Sequence, residues 1–241
     1  MHNCRLPNFW RAFDFKEMLR KIKKFILNLL FPLECLGCRR EGDWLCANCF
    51  RRLKFSGQDK SRYLIAPNLE KIFIAGDYDD PLLSEAIKKF KYGLGADLGP
   101  VLSRFLILFW GGQLFLPENR ALKNAVLIPI PLSKKRLLWR GFNQSEILTR
   151  ELAAAFAYPI NLDLQRNKYT QPQAELNGRA RLDNIKDSFS WAGTPETENL
   201  AGKTIILIDD VVTTGATLNE AAAVLKKSGA KKVYGLILAK G

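Results

Sequence analysis

The sequence predicts an α/β fold in two parts: a mostly parallel sheet with helices on both faces, preceded by a small cysteine-built module. Three observations predict it. Apolar runs of β type alternate with runs of helical period from residue 71 to the C-terminus. Strands that alternate with helices pair in parallel and need cover on both faces. Four cysteines fall in two C-x-x-C pairs between residues 35 and 49. A polar stretch, SGQDKS at 56–61, separates the two regions and sets a boundary near residue 60. The domains read from the sequence are therefore 1–60 and 61–241.

The elements follow in order. Residues 15–31 place Phe15, Met18, Leu19, Ile22, Phe25, Ile26 and Leu29 at three-and-four spacing with lysines between them, an amphipathic helix that stops before Pro32. Beyond the linker come a strand at Lys71 to Tyr78, helices near Leu82 to Tyr92 and Asp97 to Trp110, and a strand at Ala125 to Pro129. A helix near Ser145 to Ala157, strands at Ser188 to Trp191 and Lys203 to Ile208, a helix at Gly215 to Ser228 and a strand at Val233 to Ala239 complete the series.

Composition narrows the chemistry. The 241 residues include 37 Lys plus Arg, 24 Asp plus Glu and one histidine, a net charge of +13. That histidine is His2. A Ser/His/Asp triad, a Cys/His pair and a His-rich catalytic zinc site all lack their central residue. Residues 1–60 carry 13 basic and 6 acidic side chains, so a quarter of the chain holds +7 of the excess. Clustered positive charge favours a polyanionic partner, because neutralising phosphates releases condensed counterions, although it also serves solubility. The apolar stretch Phe25 to Phe31 has seven residues, far short of the roughly 20 that span a bilayer. No Ala-x-Ala cleavage pattern follows it. The expected location is the cytoplasm, with no transmembrane segment.

Cys35-Leu-Gly-Cys38 and Cys46-Ala-Asn-Cys49 bring four thiolates within reach of one tetrahedron. Such a site is structural zinc, since four thiolates leave no open coordination position. Two disulfides are the alternative, disfavoured in a reducing cytosol. Cys4 is left over. Arg39, Arg40, Arg51 and Arg52 flank the cysteines, with Trp44 and Phe50 between them. Cations interleaved with aromatics suit single-stranded nucleic acid, whose phosphates meet the cations while its bases lie on rings. Equally, the aromatics cover the metal site.

The segment Thr204-Ile-Ile-Leu-Ile-Asp209-Asp210-Val-Val-Thr213-Thr214-Gly215-Ala-Thr217 joins a hydrophobic strand, two carboxylates at its C-terminal end and a small hydroxylated loop that opens a helix. Helix N-termini favour phosphate. Ligands of open α/β sheets sit outside the carboxyl ends of the strands. Asp209 and Asp210 can then accept from vicinal sugar hydroxyls while Val212, Thr213, Thr214, Gly215, Ala216 and Thr217 surround a 5′-phosphate, with Gly215 permitting close backbone approach.

This segment resembles the phosphoribosyl pyrophosphate (PRPP) signature of type I phosphoribosyltransferases. A second block, Ile128-Pro-Ile-Pro131-Leu132-Ser-Lys-Lys-Arg136-Leu-Leu-Trp-Arg140-Gly141-Phe142-Asn143-Gln144, narrows the likeness. A third agrees in order: Arg166, Lys168, Thr170, Gln173, Leu176, Arg181, Asn184 and Phe189. With the cysteine ribbon, the chain resembles the ComF family of competence-associated proteins from about residue 25 to its end. It departs from that pattern in an N-terminal extension and in Ser133 and Lys134, where His and Pro are expected.

The resemblance implies a type I phosphoribosyltransferase-like domain behind a zinc ribbon. It implies PRPP with Mg²⁺ as ligand, and Lys134, Lys135, Arg136 and Arg140 as a hood over the pyrophosphate, unless that block is an exposed basic loop or a nucleic-acid contact. Asp209 and Asp210 are the candidate catalytic pair. No segment announces a pocket for an acceptor base. Three functions follow: a protein that binds a phosphoribosyl ligand and handles single-stranded DNA in uptake and natural transformation, alongside other uptake or recombination proteins; an active transferase with an unidentified acceptor; and a nucleotide-sensing regulator.

Overall fold

In the computed structural model, residues 32–57, 64–167, 187–193 and 200–241 are described. The amphipathic segment 15–31, Cys4, most of the expected linker and the third block from Lys168 to Asn184 lie outside them. The chain divides into two compact units, Met1–Phe50 and Arg51–Gly241. The division falls before the polar stretch because residues 55 and 56 belong to the larger unit. Phe55 packs on Phe105 with ring centroids 4.9 Å apart, and the Ser56 amide donates to the Ala75 carbonyl at 2.9 Å.

In the first unit, residues 33–42 fold back on themselves. Glu34 and Glu41 form an antiparallel bridge, and the Gly42 amide donates to the Leu33 carbonyl at 2.8 Å. One helical turn, α1 (Ala47–Phe50), follows. Cys35, Cys46 and Cys49 are the buried side chains around which it closes, together with Leu45.

The second unit is built on four parallel strands, β1 (Lys71–Asp77), β2 (Val126–Pro129), β5 (Thr204–Val212) and β6 (Lys232–Lys240), in the spatial order β1-β6-β5-β2. A backbone bridge from Leu127 to Ile160 extends the β2 edge. β5 and β6 bury most of both faces, so their sequences read as continuous apolar runs. One face is covered by α6 (Ala216–Lys227) and the small antiparallel pair β3 (Leu164–Arg166) and β4 (Phe189–Trp191). Ile72, Ile74, Ile128, Ile205 and Val233 meet Leu218, Ala222, Leu225 and Phe189 there. On the other face lie α2 (Pro81–Phe90), α3 (Gly99–Leu114) and α5 (Gln144–Phe156). Phe73 meets Trp110 of α3 edge-on at 5.1 Å, and the Trp110 indole N–H donates to Tyr158 Oη at 3.2 Å.

Caps fix the helix ends. Asp80 accepts from the Leu82 and Leu83 amides at 2.8 and 3.0 Å, with Pro81 behind it. Asn143 Oδ1 accepts from the Ser145 amide at 3.1 Å to start α5. The sequence ends the third helix at Trp110, before two glycines. It runs on to Leu114, with Gly111 leaving room for the Phe156 ring. Five further pieces carry no clear sequence signal: α1, β3, the 3₁₀ segments at Gly93–Leu98 and Pro117–Asn124, and the seven-residue α4 (Lys134–Arg140), which buries none of its side chains.

Candidate functional site

The strand expected to end at Ile208 runs on to Val212, because β6 continues alongside it: Val211 pairs with Ala239 and Val212 with Lys240. Asp209 and Asp210 therefore sit inside the strand, three and two residues before its end. β5 leads through 213–215 to α6 on one face, while β2 leads through α4 to α5 on the other. Neighbouring parallel strands whose exits diverge leave a crevice at their carboxyl ends, the general position for ligands in open α/β sheets. Asp209, Val211, Val212, Thr213, Gly215, Ala216, Thr217 and Leu218 line a shallow open concavity there.

Successive strand residues point to opposite faces, and the two carboxylates accordingly find different partners. The Ser145 hydroxyl of α5 donates to Asp209 Oδ1 at 2.8 Å, and the Asp210 amide donates to the same oxygen at 2.9 Å. Lys91, at the end of α2, lies 3.5 Å from Asp210 Oδ1. Desolvation, followed by the neighbouring Asp210 charge, pushes Asp209 up to about 7 against the opposing hydrogen bonds and the Lys91 charge. A carboxyl with that value, in a crevice, can hold or release a proton near neutrality.

The loop is braced from behind. Gly215 has φ +87°, and a Cβ there meets Leu64 Cβ at 3.3 Å and the Ile65 carbonyl at 3.5 Å. The close approach that requires glycine is thus to residues 64–66. The Ile65 amide donates to the Thr214 carbonyl at 3.0 Å, and Asn68 binds Asn219 Oδ1 through both its amide and its side chain. Gly215 opens α6 without a side-chain cap of its own, and the Ala216 amide donates to Thr214 Oγ1 at 3.4 Å, so the positive end of the helix faces a loop of small hydroxylated residues. These features fit a phosphate group.

The basic block stands beside the pair. Ser133 Oγ accepts from the Arg136 amide at 3.4 Å to open α4, which ends at Gly141 with φ +80°. Ser133 therefore serves as a cap at the position where the resembled family is expected to carry His. Asn143 donates to the Ile130 carbonyl at 3.0 Å, holding the turn to the end of β2. Arg140 Nη1 donates to Gln144 Oε1 at 2.9 Å, and Gln144 Nε2 to the Phe90 carbonyl at 3.2 Å. Arg140 Nε is enclosed with no acceptor, and Lys134 and Lys135 are exposed. Arg166 of β3 is lowered to about 10 by burial and by the Arg136 charge, against the opposing Asp209 charge. Two guanidiniums thus share a field with Asp209. The sequence marks Arg166 only as a landmark of the third block, and it misses Ser145, Lys91 and residues 64–66 as parts of this site. Their shared signal is three-dimensional.

In the first unit the sulfurs of Cys35, Cys38, Cys46 and Cys49 lie within 4.8 Å of one another, with Cys38 and Cys46 3.6 Å apart. Zn–S bonds of ~2.3 Å put sulfurs about 3.8 Å apart in a tetrahedron. Burial opposes ionisation of Cys35, but the amides of Cys46, Gly37 and Cys38 outweigh it and lower the thiol to about 6. Burial first, then the other three thiols, push Cys49 up to about 12. Four thiolates need a cation between them, and the Cys46 amide, 3.3 Å from Cys35 Sγ, supplies the outer-shell donor that such sites use. The donor set fits zinc. Arg39 and Arg40 are exposed on the loop after Cys38, and Arg39 lies 3.8 Å from Glu34. Arg51 and Arg52 are exposed at the start of the second unit. Trp44 is half-buried with Nε1 enclosed, and Phe50 is half-buried.

Known proteins are similar to this chain. The phosphoribosyl transferase domain model matches residues 143–240. Competence protein F of Haemophilus influenzae is 32% identical over 208 residues, covering 83% of this chain and 86% of that protein. DNA utilization protein YhgH of Escherichia coli K12 is 29% identical over 208 residues, 83% of this chain and 85% of the other. Competence protein ComFC of Bacillus subtilis is 37% identical over 107 residues, 44% of this chain and 40% of its own. With the four-cysteine cluster and the phosphoribosyltransferase domain in one chain, the likeness to Competence protein F over most of both lengths shows that the chain belongs to the ComF family of competence and DNA-utilization proteins.

Proposed function

We propose that this protein binds a 5-phosphoribosyl ligand of the PRPP class, with Mg²⁺, in the crevice above β5 and handles single-stranded DNA in the cytoplasm. The observation that carries the ligand is the carboxylate pair beside a glycine-turned loop, Thr213–Thr217, at the N-terminus of α6. In this reading the loop amides and hydroxyls take the 5′-phosphate and Asp209 and Asp210 take the ribose hydroxyls. Arg136 and Arg140, with Lys134 and Lys135, neutralise the pyrophosphate, and Arg166 adds charge from the far side. Mg²⁺ supplies further neutralisation of the diphosphate when it is bound. Zinc in the cysteine cluster holds the first unit together. The DNA half of the reading draws on the relatives' printed roles and on exposed Arg39, Arg40, Arg51 and Arg52.

Calorimetric titration with PRPP and Mg²⁺ tests the first half: binding in the wild type and its loss in D209N/D210N are expected. Absent binding in the wild type leaves the crevice as scaffold. The second half predicts that changing the four arginines to alanine weakens binding of single-stranded DNA and flattens its dependence on salt, with PRPP affinity unchanged. Equal affinity and slope in the variant remove those arginines from the interface.

A second reading, transfer of the phosphoribosyl group to an acceptor with release of pyrophosphate, is favoured by Asp209, whose carboxyl stands at about 7 in the crevice. Pyrophosphate release from PRPP, screened against nucleobases and amines, tests it. No release with any acceptor counts against an enzyme.

A further inference from the structure

Helix α4 carries three consecutive apolar side chains and buries none of them: Leu137, Leu138 and Trp139 are 43%, 85% and 69% exposed. The Trp139 ring meets Tyr92 edge-on, with centroids 5.4 Å apart and planes at 78°, and Tyr92 is itself 54% exposed. An edge-to-face pair occupies one face of one ring and leaves the others to solvent. Exposed apolar surface rimmed by charge marks a binding site.

Both rings are tied to the carboxylate pair through their chain neighbours. Lys91, one residue before Tyr92, lies 3.5 Å from Asp210 Oδ1. Arg140, one residue after Trp139, bonds Gln144, and the next residue, Ser145, donates to Asp209. The aromatic pair therefore lies one residue in the chain from Lys91, which reaches Asp210, and one from Arg140, which bonds the residue before Ser145. Its surroundings are cationic: Lys88 and Lys89 are exposed on α2 and Lys134 on α4. The acidic residues that border these stretches are Glu85, exposed on α2 one turn before Lys88 and Lys89, and Glu146, which pairs with Arg150.

The occupant follows from that chemistry. A helix that lies on a membrane surface presents its apolar residues in a stripe at three-and-four spacing. Residues 137, 138 and 139 are instead consecutive and diverge by about 100° each around the helix. Exposed aromatic rings with exposed lysines on the same two helices suit unstacked bases joined by phosphates. We propose that Tyr92 and Trp139 form a stacking platform for a base of single-stranded DNA, with Lys88, Lys89 and Lys134 meeting the flanking phosphates. The platform rests on the single-stranded DNA reading above and adds to it a second contact region, on the phosphoribosyl unit.

The test is a fluorescence-anisotropy titration of a labelled oligothymidylate with the zinc-loaded full chain, comparing wild type, W139A, Y92A, W139F and the four-arginine variant. W139A is expected to weaken binding by about 5- to 150-fold, the ~1–3 kcal/mol of one stacked base. W139F is expected to recover most of it, because any aromatic face can stack. The salt slope should stay at the wild-type value in W139A and fall in the arginine variant, since stacking releases no counterions. Unchanged PRPP affinity in W139A shows that the crevice is intact. Wild-type affinity in both W139A and Y92A overturns the platform and leaves the DNA reading standing. Absence of DNA binding by the wild type overturns both. Loss of binding to anionic phospholipid vesicles in W139A, with DNA binding intact, overturns the platform in favour of a membrane contact.

Discussion

Asp209 carries the most legible chemistry in the sequence and the least legible environment. Two adjacent carboxylates after a buried strand are visible in one dimension. That one is pushed up to about 7 depends on desolvation and on the Asp210 charge, which outweigh the hydrogen bond from Ser145, 64 residues away in the chain. An ordinary aspartate titrates near ~3.9, so the folded protein holds this proton more tightly than the unfolded chain does. The contribution of Asp209 to stability is therefore most favourable below pH ~4 and is lost as pH rises through about 7. D209N, which cannot ionise, is expected to match the wild type in thermal melts near pH 4 and to exceed it increasingly toward pH 8 without divalent cations. A constant difference across that range removes the desolvation account.

At the scale of elements, caps and turns decide. Gly215 combines φ +87° with a Cβ position 3.3 Å from Leu64 Cβ, so both backbone and space exclude a side chain. G215A is expected to destabilise the protein by about 1–3 kcal/mol, read as a lower urea midpoint, and to weaken PRPP binding by displacing the loop. The opposite holds at the end of α5, where Ala157 caps the helix with φ 57°. A157G is expected to stabilise by about 0.5–1 kcal/mol with an unchanged urea slope, because glycine takes that conformation without strain. A lower midpoint for A157G means that the Ala157 methyl packs more than it strains. The long helices and strands were legible from their period. α4 was not: its KKRLLWR pattern has no buried stripe, and Ser133, Gly141 and the Asn143–Ile130 bond hold it by its ends.

At the scale of the whole molecule, the described residues pair a unit with a large core and a unit whose described part has a small one. Arg51–Gly241 buries apolar side chains on both faces of its sheet, whereas the described part of Met1–Phe50 buries three cysteines and Leu45. Metal binding is folding energy for a module of that kind. A zinc chelator is expected to raise amide exchange and proteolysis across residues 33–50 first, with the second unit still protected and still competent for PRPP. Equal loss of protection in both units indicates a core shared between them, and intact protection in the first indicates packing that suffices without metal.

The sequence by itself determined the order along the chain of the four parallel strands and of the long helices, the four-cysteine cluster, the carboxylate pair and the family, because each rests on residue type at short spacing, which local chain geometry translates directly into structure. Only the tertiary structure decided the order β1-β6-β5-β2, the extension of β5 past its carboxylates, the partners Ser145, Lys91 and Arg166, the brace of residues 64–66 behind Gly215 and the meeting of Tyr92 with Trp139. Each of these joins residues far apart in the chain, and their proximity is set by how the sheet and its covering helices pack, which no local pattern encodes.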